Sequence, residues 1–166
     1  MAKPFEEFLG ENPILGFSLY THIQITILMR VGREIESLLD KAVDGNTISH
    51  GEFERAYALF WLWALGSFEV VRTMYASRNR FSPDTQKSLK KSKARLIRIR
   101  APMAKQKHAG RNRDIRSELS VSGFDADTKD YCLEIEGEKY WARAIIREFN
   151  QLVSSIGVND IVPGKT

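Results

Sequence analysis

One segment of the chain is long enough for a helix and apolar on every side. Ser49 followed by Glu52 forms a capping-box pattern, which predicts a helix starting at Ser49. Thirteen residues within it, 56–68, carry no charge, but a membrane span needs about 20 apolar residues. A helix of this kind lies at the centre of a core or is shared across an oligomer interface. Trp61 and Trp63 are therefore our candidate interface residues, for a second copy of the chain or for another protein.

Three further helices are predicted around this segment. The first runs over 17–42, with apolar residues at helical spacing from Leu28 to Ala42. Its early part, 23–27, also alternates as a strand would, but no turn signal separates it from the periodic residues that follow. Ser82, Pro83 and Asp84 start a basic third helix, which Pro102 should break or kink before a short helical piece over 103–109. A final helix covers 141–156, and Gly157 should end it.

Between the basic helix and the last helix the periodicity changes to that of strands. Apolar and polar residues alternate around 119–121 and 131–136, with turn signals at 125–130 and at Gly137. The predicted fold is mainly α (α+β): an antiparallel bundle of about four helices with a small β hairpin inserted at about 117–140. We expect one domain over 1–157 and a C-terminal tail over 158–166.

The charge of the chain is concentrated in one stretch. The protein has a net charge of +4, but residues 82–116 contain twelve Lys or Arg against two Asp, a balance of +10. The preceding 81 residues have a balance of −2 and the last 50 a balance of −4. Such a basic stretch either binds a polyanion or faces acidic surface elsewhere on the chain, on a copy of it or on an acidic partner.

Sequence motifs for familiar chemistries are absent. Neither a dinucleotide fingerprint nor a P-loop occurs, no G-x-S-x-G elbow occurs, and no cofactor is implied. The three histidines lie on separate segments without metal-ligand spacing, so we expect no metal. Cys132 is the one cysteine and reads as a structural thiol. No signal peptide or membrane span is predicted, which gives the cytoplasm as the expected location.

The basic stretch contains the one cluster that suggests chemistry. Several guanidinium groups and His108 lie around a proline, where an anion such as phosphate would be favoured. Arg100 and His108, with seven residues between them, resemble the Arg–His pair of the HEPN (higher eukaryotes and prokaryotes nucleotide-binding) domains, although this spacing is longer than usual in that family. The resemblance implies a helical bundle and metal-independent RNA cleavage. Arg100 would bind the phosphate, His108 would transfer the proton, and Glu69 and Arg72 would support them.

Two functions remain open from the sequence. The first is a domain that binds RNA or another polyanion, with or without cleavage, whose candidate contacts are Lys91, Arg95, Arg98, Lys105, Lys107, Arg111 and Arg113. The second is a non-enzymatic interaction module, most simply a homodimer. It would use the Trp61/Trp63 helix, and the basic helix would pair with acidic surface.

Overall fold

Five α-helices and two small antiparallel sheets make up the described part of the protein. The computed structural model describes residues 4–44, 47–105 and 121–162. The helices are α1 (Phe5–Glu11), α2 (Leu19–Ala42), α3 (His50–Ala76), α4 (Pro83–Lys105) and α5 (Ala142–Ser154). The strands are β1 (Val43–Asp44), β2 (Thr47–Ile48), β3 (Gly123–Asp125), β4 (Asp130–Ile135) and β5 (Glu138–Trp141). The predicted class, a mainly α helical bundle with a small β element before the last helix, is confirmed.

Helix α3 runs antiparallel to both of its neighbours, α2 and α4. Near the middle of the α2–α3 pair, Gly66 faces the side chain of Leu28 and Gly32 faces Trp63. Position numbers therefore rise along one helix as they fall along the other. Helix α3 packs most extensively against both of its neighbours. The ambiguous segment 23–27 lies inside α2, so the helical interpretation is confirmed.

Helix α3 occupies the centre of the bundle, as its apolar sequence predicted. Trp63 is 1% exposed, stacks on Phe60 at a centroid distance of 5.8 Å and meets Phe149 of α5 edge-on at 5.5 Å. Its indole Nε1–H donates to the carbonyl oxygen of Leu28 at 3.0 Å. Ser49 is the N-cap residue, but its side chain makes no capping hydrogen bond, so the predicted capping box is not formed. Burial of the apolar residues, rather than the cap, holds this helix in place.

Of the two outcomes predicted for Pro102, a break or a kink of the basic helix, the break does not occur. Helix α4 continues through it to Lys105. Pro102 lies three residues before that end, so its missing N–H removes one hydrogen bond within the last turn. Ala101, Pro102 and Met103 are all buried, and their packing offsets this loss. Residues 106–109 of the predicted separate helical piece lie outside the described residues.

The β element before α5 has three strands rather than the two of a hairpin. Strands β3, β4 and β5 form an antiparallel meander in that order. The predicted turns are present at 125–130 and at Gly137, whose φ of +80° suits glycine. The predicted region started at 117, and 117–120 lie outside the described residues. A second pair of short strands, β1 and β2, joins α2 to α3 and was not predicted.

Helix α5 receives its N-terminal cap from the sheet. Trp141 is at the N-cap position and makes no side-chain cap hydrogen bond. Instead the carboxylate of Asp130, which is 4% exposed, accepts from the backbone N–H of Arg143 at 3.1 Å. Burial raises the pKa of Asp130. The guanidinium of Arg143 in turn contacts Asp40 of α2 at 2.7 Å, so this corner joins the sheet, α5 and α2.

The first part of the predicted tail belongs to the folded unit. Ile161 pairs with Phe81 as an isolated β-bridge, and the Ser82 hydroxyl donates to the carboxylate of Asp160 at 2.6 Å. This hydrogen bond and one from the N–H of Gly157 lower the pKa of Asp160. Residues 158–162 of the predicted C-terminal tail therefore close over the start of α4. Helix α5 ends at Ser154, three residues before the predicted Gly157.

Candidate polyanion-binding surface

The helical period of α4 distributes its basic residues over two sides of the helix. Arg95 and Arg98 point toward the sheet and α5, while Lys93 and Arg100 point toward α3. Leu89, Leu96 and Ile99 form the buried stripe between these sides. Charges that are adjacent in the sequence therefore have different surroundings in the fold.

On the sheet side, two arginines are paired with acids of the C-terminal half; we call Arg95, Arg98, Glu138 and Glu148 the sheet-side cluster. Arg95 Nη1 lies 3.2 Å from Glu138 Oε1, and its Nε lies 2.6 Å from Glu148 Oε2. Arg98 Nη1 lies 2.9 Å from Glu138 Oε2. A hydrogen bond from the Tyr140 hydroxyl, together with both arginines, lowers the pKa of Glu138. For Arg95 and Arg98, the acidic surface expected from the sequence is supplied by the chain itself.

Lys91 stands beside the same cluster, at a polar cleft between α4 and α5. The cleft has a volume of about 560 Å³ and is floored by Leu152. Its walls carry Lys91, Arg95, Glu148, Gln151 and the hydroxyls of Ser88, Ser92 and Ser155. Because acid and base line it together, the cleft has less excess positive charge than the opposite side of α4.

On the α3 side, five cations share one edge; we call Arg72, Arg78, Lys90, Lys93 and Arg100 the basic edge. Lys93 Nζ lies 4.6 Å from the ring centroid of Tyr75, and the Arg78 guanidinium carbon lies 5.1 Å from the same centroid. Tyr75 thus holds two cations by cation–π attraction. Lys90 is exposed and lies three residues, about one turn, before Lys93.

At the other end of the basic edge, one carboxylate contacts two of the five cations. Glu69 contacts Arg72 Nε at 2.6 Å and Arg100 Nη2 at 3.7 Å. The Arg100 guanidinium also lies over the ring of Phe68, 5.3 Å from its centroid. Among the described residues of this edge, five cations face one acid. Among the described residues, the positive charge left without a nearby carboxylate is therefore greater at the basic edge than on the sheet side of α4.

The structure brings together three of the four residues expected at a catalytic site. On α4, Arg100 lies beside Glu69 and Arg72 of α3, the two residues that were expected to support it. His108, Lys107, Arg111 and Arg113 lie outside the described residues. Lys105 is the last residue of α4, and only its backbone is described. The structure thus brings Arg100, Glu69 and Arg72 together, while the candidate proton-transfer residue is not among the residues described.

The two tryptophans of the candidate interface are separated by burial. Trp63 lies in the core and has no surface to offer to a partner, which corrects the expectation for this residue. Trp61 is 41% exposed and donates its Nε1–H to the carbonyl oxygen of Met103 at 3.0 Å. Its neighbour Leu62 is more exposed still. Residues two positions apart on a helix point to opposite faces, so Trp61 and Trp63 could not lie on one surface.

Four residues that matter to this surface were not singled out from the sequence. Tyr75 and Arg78 come from the end of α3 and the turn after it. Lys93 lies in the basic stretch 82–116 but was not distinguished from its neighbours there. Glu138 lay in an acidic run that reads as solvated surface. A helical wheel of α4 could have separated Lys93 from Arg95, but it could not have shown which side the acids would cover.

Neither a metal-binding cluster nor a membrane-spanning helix occurs in the described ranges. Within 4–44, 47–105 and 121–162, no group of His, Cys, Asp and Glu is arranged to hold a metal ion. In the same ranges, no helix is long and apolar enough to span a membrane. No known protein family, curated protein or solved structure matches this chain.

Proposed function

We propose that this protein binds RNA or a similar polyanion through the basic edge. The observation that carries the proposal is that carboxylates neutralise the arginines on the sheet side of α4 more completely than the cations of the basic edge. Arg95 and Arg98 are each held by carboxylates within 3.2 Å, whereas the five cations of the basic edge share only Glu69 among the described residues.

The chemistry of the edge favours phosphate over bases. Guanidinium and ammonium groups make charge-assisted hydrogen bonds to phosphate oxygens. Tyr75, the aromatic residue of the edge, is flanked by two cations and is therefore less free to stack on a base. Binding should thus depend on backbone charge, tolerate changes of sequence and weaken steeply as salt is raised.

The test is a salt-titrated binding assay with labelled single-stranded RNA, duplex RNA and DNA. The edge variant is Lys90→Gln with Lys93→Gln, because Arg72 is already paired with Glu69 at 2.6 Å. The matched control is Arg98→Gln with Lys87→Gln, which removes the same two charges from residues paired with Glu138 and Asp84. We expect the edge variant to reduce the slope of log K against log salt by roughly 1.4–1.8, the equivalent of two phosphate contacts. The control should change this slope much less.

Two results would contradict the proposal. Equal losses in both double variants would mean that net charge, not the edge, governs binding. The absence of binding to all nucleic acids at about 50 mM salt, where such contacts are strong, would refute it outright.

The same samples test cleavage, which we propose as an additional activity of the surface. A gel of RNA integrity without added metal shows whether the strand is cut. Cleavage that is lost in His108→Ala and reduced in Arg100→Gln would support the roles implied by the HEPN resemblance. Intact RNA bound at the edge would leave binding as the function.

A further inference from the structure

The outer face of α2 is apolar where a solvated helix would be charged. Leu19, Tyr20, Ile23 and Ile27 are all exposed, Tyr20 by 71% and Ile27 by 52%. Residues 17–29 contain no Asp, Glu, Lys or Arg. Tyr20, Ile23, Ile27 and Arg30 follow 3-4-3 spacing, which places them in one stripe on the side opposite the buried residues of α2. We call these four residues the α2 stripe.

The stripe lies on the N-terminal half of α2, and no charged side chain interrupts it before Arg30. Exposed apolar side chains that share one face of a helix, rather than being scattered singly over the molecule, mark an interaction site.

The charges around the stripe argue against a lipid or nucleic-acid partner. A helix that lies in a membrane surface carries Lys and Arg on its polar face. The other exposed charges of α2 are mixed: two are basic, Arg33 and Lys41, and two are acidic, Glu34 and Asp40. The stripe offers no cation to a phosphate before Arg30. Depletion of charge at the centre with charge at the rim is instead the pattern of a protein–protein interface.

We propose that the α2 stripe is a self-association surface, occupied by the same stripe of a second copy related by a twofold axis. In an antiparallel pair of α2 helices, Ile23 of each copy faces Ile27 of the other. The same register places Arg30 opposite Tyr20 on both sides. Each end of the seam then gains a cation–π pair instead of a repulsion between like charges. Such an isologous contact is the commonest symmetry of soluble oligomers, and 3-4 spacing is that of an antiparallel coiled-coil seam.

The first test compares two isoleucines of equal exposure. Ile27 and Ile48 are both 52% exposed, but Ile48 lies in β2, away from the stripe. We expect the natural protein to sediment as a dimer at micromolar concentration, Ile48→Glu to remain dimeric and Ile27→Glu to become monomeric with unchanged circular dichroism. A natural protein that is monomeric throughout, or an Ile27→Glu variant that stays dimeric, would overturn the proposal.

The second test checks the orientation of the two copies and does not depend on the charge variant. Proteins carrying Ile23→Cys and Ile27→Cys are treated, separately and mixed, with a short thiol-specific cross-linker; Cys132 is buried and does not interfere. The mixture should give more cross-linked dimer than either protein alone, since each position faces the other one. Equal or greater cross-linking of the separate proteins would refute the antiparallel arrangement. Neither result bears on RNA binding, so failure of this proposal leaves the basic edge untouched.

Discussion

Replacing Trp63 with alanine tests directly whether this residue belongs to the core or to an interface. The side chain is 1% exposed, stacks on Phe60, meets Phe149 edge-on and donates a buried hydrogen bond to Leu28. Trp63→Ala removes all of these contacts from the place where α2, α3 and α5 meet. The structure therefore predicts a large loss of stability in the isolated chain, whatever its oligomeric state.

The expected loss follows from comparable substitutions. Truncating a fully buried aromatic residue to alanine costs about 3–5 kcal/mol, against a total stability of about 5–15 kcal/mol for a domain. With a urea m-value near 2 kcal/mol/M, this moves the unfolding midpoint down by roughly 1.5–2.5 M. Trp61→Ala is the matched control, because Trp61 is 41% exposed and its loss should cost clearly less.

Urea titrations followed by far-ultraviolet circular dichroism measure both variants against the natural protein. Protein concentration is varied so that any contribution of association is seen separately. A Trp63→Ala variant within about 0.5 kcal/mol of the natural stability would refute the core assignment, since surface substitutions stay in this range.

Three more predictions concern the contacts that hold the last third of the chain. The folded state lowers the pKa of Glu138. The stabilising effect of its carboxylate is therefore complete above the unfolded pKa, about 4.3, and is lost as the pH falls through the lower folded pKa. When urea midpoints at pH 7 and pH 3 are compared, Glu138→Gln should thus lose less stability than the natural protein. Gly32→Ala places a Cβ 2.9 Å from Cγ2 of Ile146 and should cost about 1–3 kcal/mol, measured by thermal unfolding. Gly51→Ala meets nothing within 4 Å and should stay near neutral. Removing 158–166 should lower the melting temperature by several degrees, since the folded part of this segment closes over the start of α4; an unchanged melting temperature would show that those contacts contribute nothing.

Local signals located the helices well. Ser82 and Pro83 mark the start of α4, and the 3.6-residue period of 28–42 outweighed the brief alternation at 23–27. The errors have tertiary causes. Pro102 was expected to break or kink the helix, but the helix continues through it, because the ring is buried and the hydrogen bond lost lies near the helix end. The cap of α5 was invisible because Asp130 comes from a strand twelve residues before the helix starts.

The sequence by itself predicted a helical bundle with one helix that is apolar on every side, and it showed that one stretch of the chain is strongly basic. Both depend on periodicity and composition, which are local properties. Only the tertiary structure decided which basic residues are compensated, because electrostatic attraction depends on distance and Glu138 and Glu148 approach α4 from 40 or more residues away. It likewise decided that Trp63 is core and that α2 carries an exposed apolar stripe. Whether a helix face is buried depends on which other elements pack against it, so the sequence of that helix alone does not determine its burial.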